Sequence, residues 1–110
     1  MSKKKNFKKL FFETKKLARK HNARVSDHLA KLMEESGEFA TSINKLTGLK
    51  GWSKEDTPRS IVDNLVEEGA DQIQIIVGLL GTVKVKPKKL LKCWANKNKK
   101  YSKFIKKKNP

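Results

Sequence analysis

The chain has 110 residues, with 27 lysines and arginines against 11 aspartates and glutamates, which gives a net charge of +16. This length fits one domain with a modest core, and the charge favours a polyanionic partner. A single cysteine, Cys93, excludes an intrachain disulfide, and two histidines are too few for an ordinary structural zinc site. No apolar run reaches the roughly 20 residues that a bilayer requires, so we expect a cytoplasmic protein without a membrane partner.

The charges are unevenly distributed along the chain. Residues 1–24 contain ten basic and one acidic side chain, and residues 84–110 contain twelve lysines and no acid. Residues 25–83 reverse this pattern, with five basic and ten acidic side chains. The sequence therefore predicts two basic arms around an acidic middle, and the arms could bind nucleic acid.

Apolar spacing predicts two helices in the first half of the chain. Phe7 to His21 carries one broad apolar stripe, and Ser26 stands in N-cap position before a second helix over about 27–47. Gly48 is expected to end that helix. The stretch 48–56 contains Trp52 between turn-forming residues and is predicted to be a loop.

Two further helices are predicted in the second half. Thr57 followed by Pro58 is typical of a helix start, with apolar spacing continuing to Gly81, and Pro87 begins another helix that reaches Phe104. The expected fold is a single all-α domain over residues 1–110, a four-helix bundle-like protomer with mobile basic tails at 1–6 and 105–110. Its large apolar side chains favour a homo-oligomer, with a dimer expected first.

Acidic residues recur at the same spacing in the two central helices. The segments are Glu34-Glu35-Ser36-Gly37-Glu38 and Glu67-Glu68-Gly69-Ala70-Asp71. Residues three apart share a helix face, so Glu35 with Glu38, and Glu68 with Asp71, each project two carboxylates in one direction. Four carboxylates between packed helices repel one another unless a cation lies among them, and Mg²⁺ prefers oxygen ligands.

The alternative interpretation is that both segments are ordinary solvated helix faces. Against it, the acids have few lysine partners at helical spacing in a chain rich in lysine. Lys31, four residues before Glu35, is the available partner among the central acids.

The pattern Glu34-Glu35-x-x-Glu38, a spacer, then Glu68-x-x-Asp71 resembles the signature of MazG-like, all-α nucleoside triphosphate pyrophosphohydrolases. The resemblance covers about residues 26–104. It implies an oligomeric α-bundle that holds Mg²⁺, or alternatively Mn²⁺, and cleaves a ribo- or deoxyribonucleoside triphosphate into a monophosphate and pyrophosphate. The metal ligands that it implies are Glu35, Glu38, Glu68 and Asp71.

The resemblance also suggests roles for residues beside these ligands. Glu34 and Glu67 would support the metal or activate water, and a basic stretch near the end would hold phosphates. The residues in that position are Asn96, Lys97, Lys100 and Lys103. Trp52 is a candidate for stacking on the nucleobase, although a loop tryptophan often covers the core instead.

A second function from another class remains open. A small basic helical protein could bind DNA or RNA through phosphate contacts without catalysis. The charge supports this alternative, but the sequence contains neither a recognition-helix pattern nor an aromatic motif typical of RNA-binding sheets.

Overall fold

The computed structural model describes residues 3–20, 24–48 and 51–109. Four helices occupy these residues: α1 (Lys3–Lys20), α2 (Val25–Leu46), α3 (Pro58–Thr82) and α4 (Pro87–Lys108). No strand occurs within the described ranges, so the predicted all-α fold with four helices is confirmed. The predicted end of the first helix, His21, lies outside the described residues.

The start of α3 follows the prediction. The hydroxyl of Thr57 accepts from the Ser60 backbone N–H at 3.1 Å, while the Ser60 hydroxyl accepts from the Thr57 N–H at 2.8 Å. Pro58 and Pro87 occupy the first turns of α3 and α4, where a missing backbone N–H costs nothing. These two helix starts are therefore fixed by local chemistry.

The start of α2 differs from the prediction. Ser26 is already inside the helix, and the N-cap is Arg24. The carboxylate of Asp27 accepts from the Arg24 backbone N–H at 2.9 Å, so the third residue of the helix satisfies the N–H of the N-cap residue.

The remaining boundaries are close to the predicted ones. Gly48 has a φ of 80° just after α2, a conformation that costs glycine little and other residues more. The described part of the predicted loop contains no helix or strand. The helices include most of the expected tails, because α1 begins at Lys3 and α4 continues to Lys108.

Helices α1 and α2 both pack on α3. Three side-chain hydrogen bonds define the antiparallel register of α2 and α3: His28 with Thr82 at 3.1 Å, Ser36 with Gln72 at 2.6 Å, and Ser42 with Asn64 at 2.8 Å. As residue numbers rise along α2 they fall along α3, so the acidic segments in the middle of both helices face each other.

The core of these three helices is small. Its buried apolar side chains are Phe11, Ile61 and Val77. Glycine permits a close crossing of α1 and α3, because a Cβ on Gly81 would stand 2.8 Å from Cβ and Cγ of Lys15. The close crossing positions α1 beside the α2–α3 pair.

Helix α4 does not pack along α1, α2 or α3. Its residues from Lys92 onward are exposed, including Cys93 and Trp94. The radius of gyration is 17.1 Å, against about 13 Å for a compact domain of this length. Within residues 3–20, 24–48 and 51–109, no helix combines the length and hydrophobicity needed to cross a bilayer.

Candidate metal centre

The antiparallel register brings carboxylates of α2 and α3 together. One oxygen each from Glu35, Glu68 and Asp71 lies within 4.8 Å of the other two. A second group on α2 joins Glu34, Glu35 and Glu38 by the same measure. Glu35 belongs to both groups, so the carboxylates form one continuous acidic surface between the helices.

Glu35 is the most deeply placed of these acids, with 6% of its surface exposed. Its Oε1 lies 3.3 Å from Nζ of Lys31, one turn earlier on α2. The carboxylate of Glu35 is the main cause that raises the pKa of Lys31, with a further contribution from Glu34, whose Oε1 is 3.7 Å away. Lys31 therefore balances part of the buried charge.

Two oxygens at this point have no partner among the described residues. Oε2 of Glu35 and Oε2 of Glu68 are both buried and accept no hydrogen bond. A buried unpaired acceptor costs roughly 1–3 kcal/mol, and more when it carries charge. Two such oxygens, one from each helix, are the strongest local sign that a cationic group belongs there.

Glu38 connects the two groups electrostatically. Its pKa is raised above the ordinary value of 4.5, first by the nearby negative charge of Glu35 and then by that of Glu68. The raised pKa indicates that Glu38 lies close enough to both carboxylates for their negative charges to oppose its ionisation. Glu35, Glu38, Glu68 and Asp71 are called the carboxylate cluster below.

The donor set of the carboxylate cluster fits Mg²⁺. The ion takes hard oxygen ligands at about 2.1 Å in octahedral geometry, so two ligand oxygens stand roughly 3.0–4.2 Å apart. Separations within 4.8 Å therefore require only small side-chain movements to close around an ion. Mn²⁺ accepts the same carboxylate ligands, and water or phosphate oxygens would complete either shell.

Other residues singled out in the sequence lie elsewhere. Glu67 is exposed and is not part of either carboxylate group. Trp52 donates from Nε1 to the backbone oxygen of Lys45 at 2.8 Å. Lys45 is seven residues beyond Glu38, about 10 Å along α2, so Trp52 covers the end of that helix and not the carboxylate cluster.

The proposed phosphate-binding residues are on α4. All four are exposed on a helix that does not pack against the carboxylate cluster within one chain. They are Asn96, Lys97, Lys100 and Lys103.

A groove of about 550 Å³ opens beside the carboxylate cluster, between α1, α2 and α3. Glu35 and Asp71 line one end, and His28 and Gly78 line the other. His28 was not among the site residues predicted from the sequence, although His28, Lys31 and Glu35 follow the spacing of one helix face. That spacing was the signal available in the sequence.

Comparison of the chain with protein-family models, with curated proteins and with solved structures finds no match. The carboxylate cluster and the groove are therefore the features of the molecule that indicate a function.

Proposed function

We propose that the protein is a magnesium-dependent hydrolase that cleaves nucleoside triphosphates between the α and β phosphates, as its resemblance to MazG-like enzymes implies. The observation that carries this proposal is the pair of buried, unpartnered oxygens of Glu35 and Glu68 within a cluster of four carboxylates. These oxygens need a cation, and a cation held by carboxylates beside an open groove can take phosphate oxygens as further ligands.

The four acids of the carboxylate cluster share one task in this mechanism. Glu35, Glu38, Glu68 and Asp71 would hold Mg²⁺, which when bound lowers the pKa of water and neutralises phosphate charge. The water oxygen forms a bond to one phosphorus of the α–β anhydride, and the bond from that phosphorus to the bridging oxygen breaks. The products are a nucleoside monophosphate and pyrophosphate.

The proton released by the water needs an acceptor. Of the two residues considered for this role, Glu34 is grouped with Glu35 and Glu38, whereas Glu67 is outside the carboxylate groups. Glu34 is therefore the favoured general base, and its exposure leaves its carboxylate accessible to water.

A dimer follows from the same proposal. The chain exposes 9138 Å², about 2,900 Å² more than a compact monomer of its 12.6 kDa mass. A permanent interface removes roughly 1,000–2,500 Å² from each partner, so this excess is large enough to supply one. Because α4 does not pack near its own carboxylate cluster, Lys97, Lys100 and Lys103 could contact phosphates only from a second copy, where they would offset the substrate charge.

Pyrophosphate release from ribo- and deoxyribonucleoside triphosphates tests this function. Release should require Mg²⁺, stop with EDTA, and fall by at least 100-fold in Glu68→Gln, while Asp63→Asn, an exposed acid on the same helix, retains activity. Absence of release with Mg²⁺ or Mn²⁺ from every nucleotide would refute the proposal.

A second function is supported by α4 itself. Eight of its lysines share one exposed face at 100° per residue, and the helix contains no acid to oppose them. They are Lys88, Lys89, Lys92, Lys99, Lys100, Lys103, Lys106 and Lys107. Such a face could bind nucleic acid through phosphates, and that binding should weaken steeply with salt and be unaffected by Glu68→Gln.

A further inference from the structure

The groove beside the carboxylate cluster has a polar end that the hydrolysis mechanism does not use. His28 precedes Glu35 by seven residues, and Gly78 follows Asp71 by seven, so both pairs are separated by about 10 Å along their helices. The volume of about 550 Å³ is within the range of small-molecule sites. Its walls between the two ends include the apolar side chains of Leu17, Ala18 and Ile75.

The hydrogen bonds at the polar end assign the tautomer of His28. The Thr82 hydroxyl donates its single proton to the backbone oxygen of Gly78 at 2.9 Å. The same hydroxyl oxygen lies 3.1 Å from Nε2 of His28. With its proton directed to Gly78, the hydroxyl accepts from Nε2, and this network assigns the proton of the neutral ring to Nε2. Nδ1 of His28 is then an acceptor, and no donor reaches it among the described residues.

A second acceptor lies at the same end of the groove. Asp27 lines the groove, and its pKa is lowered, first by the hydrogen bond from the Arg24 backbone. Its ionised carboxylate accepts hydrogen bonds and donates none. The ammonium of Lys31 also lines the groove, but it is held by Glu34 and Glu35. A ligand that reaches this end therefore meets two acceptors, Nδ1 of His28 and the carboxylate of Asp27, and is favoured when it brings a donor.

We propose that the groove holds the nucleoside part of the substrate and that His28 makes it selective for bases with an exocyclic amino group. This inference rests on the proposed function, because phosphates bound at the carboxylate cluster would direct the nucleoside along the groove. The apolar walls contact the faces of the base, and its amino group donates to Nδ1 of His28. Thr82 acts as a positioning residue, because it fixes the protonated nitrogen.

Cytosine and uracil are the sharpest pair for this selectivity. They have nearly the same shape, but cytosine presents an amino donor at the position where uracil presents a carbonyl acceptor. A carbonyl facing Nδ1 leaves two acceptors unpaired, which costs about one hydrogen bond and corresponds to roughly a tenfold loss in affinity. Adenine and guanine also carry amino groups, and thymine resembles uracil.

The test compares Thr82→Val with Thr82→Ser. Valine has the size of threonine but cannot accept from Nε2, so the tautomer of His28 is no longer fixed, whereas serine keeps the hydroxyl. The ¹⁵N chemical shifts of the imidazole report the tautomer directly and without ligand. The Kd values of the α,β-methylene analogues of CTP and UTP with Mg²⁺ report selectivity without hydrolysis.

The wild type and Thr82→Ser should show a protonated Nε2 and bind the CTP analogue about tenfold more tightly than the UTP analogue. Thr82→Val should populate the other tautomer and reduce that ratio towards one. Equal Kd values for both analogues in the wild type would overturn the inference and leave the proposed function standing. If neither analogue binds at Mg²⁺ concentrations that stabilise the protein, the proposed function and this inference both fail.

Discussion

Replacing Glu68 by glutamine should stabilise the protein without metal and remove its response to Mg²⁺. Oε2 of Glu68 and Oε2 of Glu35 are buried acceptors without partners in the described part of the chain, and each costs roughly 1–3 kcal/mol. The amide of Glu68→Gln removes one negative charge and supplies a donor to the neighbouring carboxylates. We therefore expect the free energy of unfolding in EDTA to rise by about 1–3 kcal/mol.

Mg²⁺ should stabilise the wild type more than it stabilises Glu68→Gln. A ligand present at 100 times its Kd stabilises the folded state by about 2.7 kcal/mol. For a domain of this size that increment corresponds to a Tm increase of roughly 10 °C. The wild type should show this increase, and Glu68→Gln should show less than about 2 °C because one ligand is missing.

Thermal unfolding followed by circular dichroism, with EDTA and with a Mg²⁺ series, measures both effects. Glu67→Gln is the matched control, because it makes the same change at the adjacent, exposed position outside the carboxylate groups. It should keep the wild-type response to Mg²⁺. The reasoning is refuted if Mg²⁺ leaves the wild-type Tm unchanged, or if it raises the Tm of Glu68→Gln as much as that of the wild type.

Three further predictions concern pH, glycine and helix capping. In EDTA, the free energy of unfolding should rise as the pH falls from 7 towards the raised pKa of Glu38, since the folded state takes up that proton before the unfolded state does. Mg²⁺ should abolish this rise. Thermal unfolding across this pH range measures the effect, and a Tm that falls with pH in EDTA would contradict it. Gly81→Ala should destabilise the protein by about 1–3 kcal/mol, because the new Cβ would meet Lys15. Gly37→Ala, with open space around it, should stabilise the protein by about 0.5–1 kcal/mol. Urea denaturation distinguishes the two variants, and equal effects would argue against the close crossing of α1 and α3. Thr57→Ala should cost about 1 kcal/mol through loss of the α3 cap, and an unchanged denaturation midpoint would contradict that role.

Local chemistry explains why much of the fold could be predicted from the sequence. Pro58 and Pro87 mark helix starts because proline fits the first turn, and Gly48 ends α2 with a positive φ. The start of α2 was mispredicted because serine is a common N-cap residue and arginine is not, whereas the N-cap is Arg24, two residues before Ser26. The sequence signal for the true start is Asp27, three residues after Arg24, whose carboxylate accepts from the Arg24 backbone N–H.

The carboxylate groups could be predicted for a similar reason, since helical spacing fixes which acids share a face. Which faces meet depends on register, and the hydrogen bonds of Ser36 with Gln72 and of Ser42 with Asn64 define it here. The position of Trp52 was beyond sequence reasoning, because its contact with Lys45 depends on how the loop folds back on α2. The exposure of Cys93 and Trp94 likewise depends on where α4 projects.

Pyrophosphate release by the wild type and by Glu68→Gln, measured with the same nucleotide panel and with Mg²⁺ or EDTA, tests the central claim most directly. The account predicts release that requires both the metal and Glu68, with one nucleoside monophosphate formed for each pyrophosphate. Release that persists in EDTA or in Glu68→Gln would contradict it, as would a wild type that binds Mg²⁺ but cleaves no nucleotide.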